Sequence, residues 1–126
     1  MPLTTECIRG ADAAKERLTV NLAGSLDTAT APDLEKQLAA HTDAATRHVV
    51  FDLAKLTLIS SAGLRVFAAT RKMLKERNGQ VTIVNAQPQI QAVFDVIKAL
   101  PGMSIFKDVA ELDAYLAARQ KATLED

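Results

Sequence analysis

Phe51-Asp52-Leu53-Ala54-Lys55-Leu56-Thr57-Leu58-Ile59-Ser60-Ser61-Ala62-Gly63-Leu64-Arg65 is the stretch from which the rest of this chain can be placed. Together with the residues just before it, His48-Val49-Val50-Phe51-Asp52-Leu53 makes a short, nearly continuous apolar run, as in a central strand covered on both faces. A short loop carrying Thr57 is expected next, and then a helix that opens on two adjacent hydroxyls, Ser60 and Ser61. A serine in the first turn of a helix sits among unpaired backbone N–H groups at the positive end of the helix dipole, where a phosphoryl group is tolerated. The stretch reads as strand, loop and helix, with a switch position at the junction.

On the C-terminal side, the helix is expected to run from about Ser61 to Asn78, with Gly79 in the left-handed position that ends it. On a helical wheel Val66, Phe67, Thr70, Met73 and Leu74 form its core side, and Arg65, Ala69, Lys72 and Glu76 face away. Val81-Thr82-Ile83-Val84-Asn85 is the next strand. Pro88 stands near the start of a third helix with Ile90, Val93, Phe94 and Ile97 inside, and Pro101-Gly102 stops it. Ile105-Phe106 has room for only a short strand. Asp108-Val109-Ala110-Glu111 has the cap-plus-acid spacing of a last helix, whose buried stripe is Leu112, Tyr115 and Leu116.

In the other direction, Thr30-Ala31-Pro32-Asp33 offers a capping hydroxyl, a proline in the first turn and an acid three residues after the cap. The helix that starts there buries Leu34 and Leu38 and ends near His41-Thr42. Gly24-Ser25-Leu26-Asp27 is a turn. Before it, Leu18, Val20 and Leu22 alternate with Thr19, Asn21 and Ala23, a half-buried strand ending at Gly24, and residues from Thr4 to Arg9 supply a weaker edge strand. Strands alternating with helices imply a largely parallel sheet, with an antiparallel start where the first two strands join without a helix. The expectation is one α/β domain over residues 1–126, a mixed and mostly parallel sheet flanked by about four helices.

At 126 residues the chain is long enough for a single hydrophobic core. Its 15 basic and 15 acidic side chains cancel, leaving no basic field to hold nucleic acid through its phosphates. Cys7 is the single cysteine and cannot form an internal disulfide, and Met1-Pro2-Leu3-Thr4-Thr5-Glu6 lacks the basic-then-apolar order of a signal peptide. No apolar run approaches the roughly 20 residues of a membrane span, so a cytoplasmic domain is expected. His41 and His48 have no Cys or His at ligand spacing, and no Walker loop, dinucleotide fingerprint or Gly-x-Ser-x-Gly elbow is present. No metal or cofactor is expected. As a nucleophile, Ser61 would need a base positioned on it, and the sequence offers none nearby, which argues against an enzyme.

The order of Asp-Leu ending a strand, Leu-x-Leu-Ile bridging and Ser-Ser-Ala-Gly-Leu entering a helix resembles the signature of the STAS domains, in particular the bacterial anti-sigma-factor antagonists. The likeness runs from about Leu18 to the last helix and is most specific from Asp52 to Leu64. It implies a mixed sheet flanked by four or five helices. In the antagonists the helix is commonly entered by Asp-Ser-Ser/Thr-Gly-Leu, and the serine after the aspartate is phosphorylated. Laid on this chain without gaps, the phosphorylated position is Ser61, the Ser/Thr position is Ala62, and Gly63 and Leu64 follow. Ser60 stands where the family has aspartate. That departure removes a carboxylate that a kinase's Mg²⁺ would sense, and it leaves Ser60 as a second acceptor.

Each singled-out residue carries two readings. From the helix alone, Ser61 is an N-terminal cap worth about 0.5–2 kcal/mol; the resemblance makes it a phospho-switch, in preference to Thr57 or Thr70. Gly63 either admits a partner or gives room for helix–sheet packing. Asp27 aligns with a family turn close to the switch, which puts it and Thr28 at the rim of the partner surface; taken alone, it is a turn residue bonding its own backbone. Asp52 either borders the switch loop or satisfies N–H groups there. Arg65 and Lys72 meet an acidic partner or a phosphate on Ser61, or are a solvated face.

The expected partner surface is thus Asp27, Thr28, Ser60, Ala62, Gly63, Leu64 and Arg65. The resemblance implies that the unphosphorylated chain binds an anti-sigma factor that is itself a serine kinase of the histidine-kinase-like ATPase fold. Phosphorylation of Ser61 with Mg-ATP then ends binding, and a phosphoserine phosphatase resets it. The alternative is a STAS adaptor working by constitutive contact in a transport complex or signalling scaffold.

Overall fold

The computed structural model describes residues 3–10, 16–99 and 109–125. Its apolar alternation builds four strands, β1 (Leu3–Arg9), β2 (Arg17–Leu26), β3 (His48–Ile59) and β4 (Gln80–Val84), in one sheet ordered β1-β2-β3-β4. β1 runs antiparallel to β2, while β2, β3 and β4 are parallel. Four helices accompany them, α1 (Ala31–His41), α2 (Ser61–Lys75), α3 (Pro88–Ala99) and α4 (Val109–Glu125). The expected Pro101-Gly102 stop, Ile105-Phe106 strand and Asp108 cap, and the side chain of Ile97, lie outside the described residues.

Leu18, Val20 and Leu22 of β2 and Val49, Phe51 and Leu53 of β3 are buried, whereas the residues between them are only half-buried. Helices therefore close one face of the sheet. This corrects the expectation of a strand covered on both sides: His48, Val50 and Asp52 share the other, more open face. Leu34 and Leu38 of α1, Val66, Phe67 and Leu74 of α2, Ile90 and Val93 of α3 and Leu116 of α4 complete the core. Phe51 and Phe67 meet at 4.4 Å between ring centroids, and Phe94 lies 6.3 Å from Phe67. Tyr115 is 38% exposed and does not belong to the buried stripe of α4, where Gln120 is buried instead.

β3 is longer than expected, because Lys55 to Ile59 are strand and not loop. Asn21 pairs with Asp52 but Ala23 with Lys55, and Gly24 with Leu56 but Ser25 with Leu58, so β3 carries an extra residue at each of two bulges. Each bulge resets the alternation, and the buried positions step from Leu53 to Leu56 to Ile59. Gly24 adopts φ 101° there, and Thr57 Oγ1 donates to its carbonyl at 3.0 Å.

β4 accompanies β3 only as far as Asp52. Beyond that point, among the described residues, glutamine side chains take the place of a neighbouring strand. Gln87 Nε2 donates to the Ala54 carbonyl (2.8 Å) and Gln89 Nε2 to that of Thr57 (3.3 Å). Gln120 does both jobs at Ile59, accepting from its N–H and donating to its carbonyl at 2.9 Å each.

α2 ends at Lys75 and continues into a Schellman turn: the Gly79 N–H donates to Leu74 (2.7 Å) and the Asn78 N–H to Lys75 (3.1 Å). The left-handed residue is Asn78, at φ 60°, and not Gly79 as expected. Gly79 is required for space, since a Cβ there would lie 2.0 Å from the Arg47 carbonyl oxygen.

Candidate functional site: the entry to α2

The parallel register places Leu26 beside Ile59, and the Ser60 N–H donates to the Leu26 carbonyl at 2.9 Å. The end of β2 and the end of β3 are thereby tied together, which brings the Asp27 turn up to the start of α2. Ser60 occupies the N-cap position with an extended backbone (φ −109°, ψ 177°), and its carbonyl accepts the Leu64 N–H at 3.1 Å. Ser61 is the first helical residue, so it is not the cap that the sequence reading offered as one possibility. Neither hydroxyl caps the helix.

A carboxylate from elsewhere does that work. Asp113 Oδ1, on α4, accepts the Ser61 N–H at 2.8 Å, satisfying one orphan donor and placing negative charge at the positive end of the α2 dipole. Two turns further along α4, Gln120 clasps the Ile59 backbone as described above. Ser61 is only 4% exposed. The hydroxyl oxygens of Ser60 and Ser61 are both buried without a hydrogen-bond partner among the described residues. A buried polar group left unpaired costs about 1–3 kcal/mol, so this junction is held together against its own chemistry.

Around the two serines, Ala62 and Leu64 are half-buried, Gly63 is buried, and Arg65 is exposed. The packing reading of Gly63 has a direct cause: a Cβ there would come within 2.6 Å of Leu26 Cγ and 3.1 Å of Ile59 Cγ1. Arg65 lines a groove of about 400 Å³ between α1 and α2, with Glu35, Leu38, Ala69 and Met73 among its walls. Asp27 is half-buried and Thr28 exposed. The Asp27 carboxylate accepts the N–H groups of Ala29 (3.0 Å) and Thr30 (3.1 Å), the self-bonding turn that its sequence context allowed. Thr30 was expected to cap α1 with its hydroxyl; that hydroxyl instead accepts from the Asp27 N–H (2.9 Å) and donates to the Ser25 carbonyl (2.8 Å).

Asp52 does not border the entry to α2. It lies within β3, where its carboxylate accepts from the Ala54 N–H (3.0 Å) and the Asn85 amide (3.2 Å). Thr57 is an exposed strand residue and Thr70 is buried with its hydroxyl on the Val66 carbonyl, 2.8 Å away. His41 Nδ1 contacts the Gln37 carbonyl oxygen and His48 Nε2 the Thr82 hydroxyl, both at 2.8 Å. No group of three or more potential metal ligands occurs among the described residues, and no described helix is long and apolar enough to cross a membrane. Sequence reasoning missed Asp113 and Gln120. With Leu116 they recur at the spacing of one helix face, a signal hidden by looking only for apolar residues on it.

A family model of the STAS domain matches residues 5–112. The chain is 36% identical over 122 residues, 97% of both sequences, to a putative anti-sigma factor antagonist, BtrV, of Bordetella bronchiseptica. An anti-sigma factor antagonist from Mycobacterium paratuberculosis has a similar structure, with a TM-score of 0.63 at 25% identity over 94% of each chain. Bacillus SpoIIAA in its phosphorylated form shares the fold, with a TM-score of 0.60 at 16% identity over 74% of this chain and 82% of that one. A sheet that begins antiparallel and continues parallel, a helix entered through Ser-Ser-Ala-Gly-Leu, and a family match over most of its length together mean that this chain belongs to the STAS domain family.

Proposed function

We propose that this protein is an anti-sigma-factor antagonist, a binding module and not an enzyme, whose partner surface is switched by phosphorylation of Ser61. The observation that carries the reading is the full-length similarity to a protein named as such an antagonist, combined with the place of Ser61 as the first residue of α2. Asp27, Thr28, Ala62, Leu64 and Arg65 form the accessible part of the surface around it, while Gly63 is packed beneath on Leu26 and Ile59 and the Ser60 hydroxyl is buried. The partner is an anti-sigma factor that is also a serine kinase. It transfers the γ-phosphoryl group of Mg-ATP to Ser61 Oγ: the new O–P bond forms as the bond to the ADP oxygen breaks, and the hydroxyl proton passes to a base of the kinase. A phosphatase reverses the state by hydrolysis. The added charge of about −1.5 to −2 at a helix terminus need not unfold the domain, yet it repels and blocks a partner that docks over the entry to α2 while Ser61 is unmodified. Ser60, one residue earlier, is the second-choice acceptor.

The test is binding of the cognate anti-sigma factor by titration calorimetry. Ser61→Ala should bind and stay unmodified, whereas phosphorylated wild type and Ser61→Asp should bind weakly, Ser61→Asp less completely impaired because a carboxylate carries less charge. Phosphosite mapping of protein from its own host should find Ser61, not Thr57 or Thr70. The reading does not survive if all three forms bind with wild-type affinity.

A further inference from the structure

We infer that α4 is an intramolecular latch on the switch, with Asp113 and Gln120 as the positioning residues that hold Ser61 out of reach. The regulatory meaning of the latch rests on the phospho-switch proposed above; the latch itself rests on contacts alone. Three hydrogen bonds from α4 end on the last residue of β3 and the first residue of α2: Asp113 to the Ser61 N–H, and Gln120 to both backbone groups of Ile59. The serine they bind is 4% exposed, and its hydroxyl has no partner among the described residues. An enzyme transferring a phosphoryl group needs that oxygen in line with its own nucleotide, so α4 must move before Ser61 can react.

The same contact makes the modified state self-maintaining. Asp113 already holds negative charge against the Ser61 amide, and a phosphate on the same residue would compete for that position and repel the carboxylate. Phosphorylation therefore prevents α4 from closing again. Ser60 strengthens the device, because a serine at the N-cap leaves the position without a carboxylate of its own and Asp113 supplies one from another element.

Two readouts test the latch without phosphate or partner, so its failure is separable from failure of the phospho-switch. The first is amide hydrogen exchange. As the first helical residue, Ser61 has no intrahelical acceptor for its N–H, and its protection reports on Asp113. Gln120→Ala or Asp113→Ala should speed exchange at Ser61 or Ile59 by about tenfold or more, the scale of one lost hydrogen bond, while Val49 and Phe51 stay protected. The second is alkylation by iodoacetamide of the thiol introduced by Ser61→Cys, followed by site-resolved mass spectrometry with Cys7 as internal reference. Burial pushes the Cys7 thiol pKa up, which makes it a slow reference. Gln120→Ala should accelerate labelling at position 61 alone. Unchanged exchange and labelling in both α4 variants overturns the latch. So does equal acceleration at Cys7 or throughout β3, since α4 would then only support the whole fold.

Discussion

Gly63→Ala puts the geometry of the entry to α2 to a quantitative test, because two effects of opposite sign compete there. Gly63 lies inside α2, where alanine is the better helix former by about 1 kcal/mol. On an open helix face the substitution would stabilise. Here the new methyl carbon would stand 2.6 Å from Leu26 Cγ, 2.7 Å from Leu26 Cδ2 and 3.1 Å from Ile59 Cγ1. Carbon atoms in contact prefer about 3.5–4.0 Å, so the closest approach is short by roughly 1 Å. Leu26 is 0% exposed and Ile59 1%, so the side chains met are enclosed and have no solvent to rotate into. Overpacking of this kind costs about 1–3 kcal/mol, and the upper half of that range applies to enclosed side chains, leaving a net loss of about 1–2 kcal/mol after the propensity gain. Urea unfolding followed by circular dichroism should show a lower midpoint with an unchanged slope. Leu26→Ala combined with Gly63→Ala should be more stable than the sum of the two single changes, since one relieves the other. A Gly63→Ala protein as stable as wild type, with strictly additive energies in the double variant, would refute the close approach of α2 to the ends of β2 and β3.

Phe67→Ala removes a ring packed on Phe51 and Phe94 and should lower stability by about 3–5 kcal/mol in the same urea assay. Gly79→Ala drives a methyl group into the Arg47 carbonyl oxygen and, since backbone cannot rotate aside, should destabilise by more than Gly63→Ala does. Asp43, at the turn after α1, has its carboxyl held below the usual 3.8, first by the Ala45 N–H and with help from Thr46 and Arg9. A lowered folded-state pKa stabilises above the unfolded value and is lost as pH falls through the folded one; the urea midpoints of wild type and Asp43→Asn should differ at pH 7 and converge under acid.

The order of elements was legible because each is marked by local physics. Alternation marked β2, proline and acid marked α1, and the apolar run at Val49-Val50-Phe51 marked β3. The second half of β3 looks like loop in the sequence because Leu53, Leu56 and Ile59 are spaced by three and not two, and only the partner strand reveals that bulges account for the spacing. The nearly continuous apolar run from His48 to Leu53 points to covering on both faces, but the apolar character of Val50 is equally compatible with a half-exposed strand position. Ser61 could be located from its motif, but its surroundings could not. Asp113 lies 52 residues away, and a carboxylate reaching a helix terminus from another helix leaves no mark in the local sequence of either. Tyr115 was placed inside by its hydrophobicity, whereas the buried neighbour at Gln120 is polar and tolerated because all of its bonds end on Ile59 and Leu116.

The glutamines along β3 also bear on how the molecule avoids its own copies. Past Asp52 the strand has no β neighbour on the β4 side among the described residues, and bare strand edges recruit strands from other chains. Amide side chains from Gln87, Gln89 and Gln120 occupy bonding groups that such a chain would use, each engaging a single residue of β3 and offering no continuous template for the next. Gln120 guards the end of that edge, at Ile59. Lifting α4 would therefore bare only the N–H and carbonyl of Ile59, while Gln87 and Gln89 at the start of α3 keep the rest of the edge capped, too short a gap to template a strand from another chain.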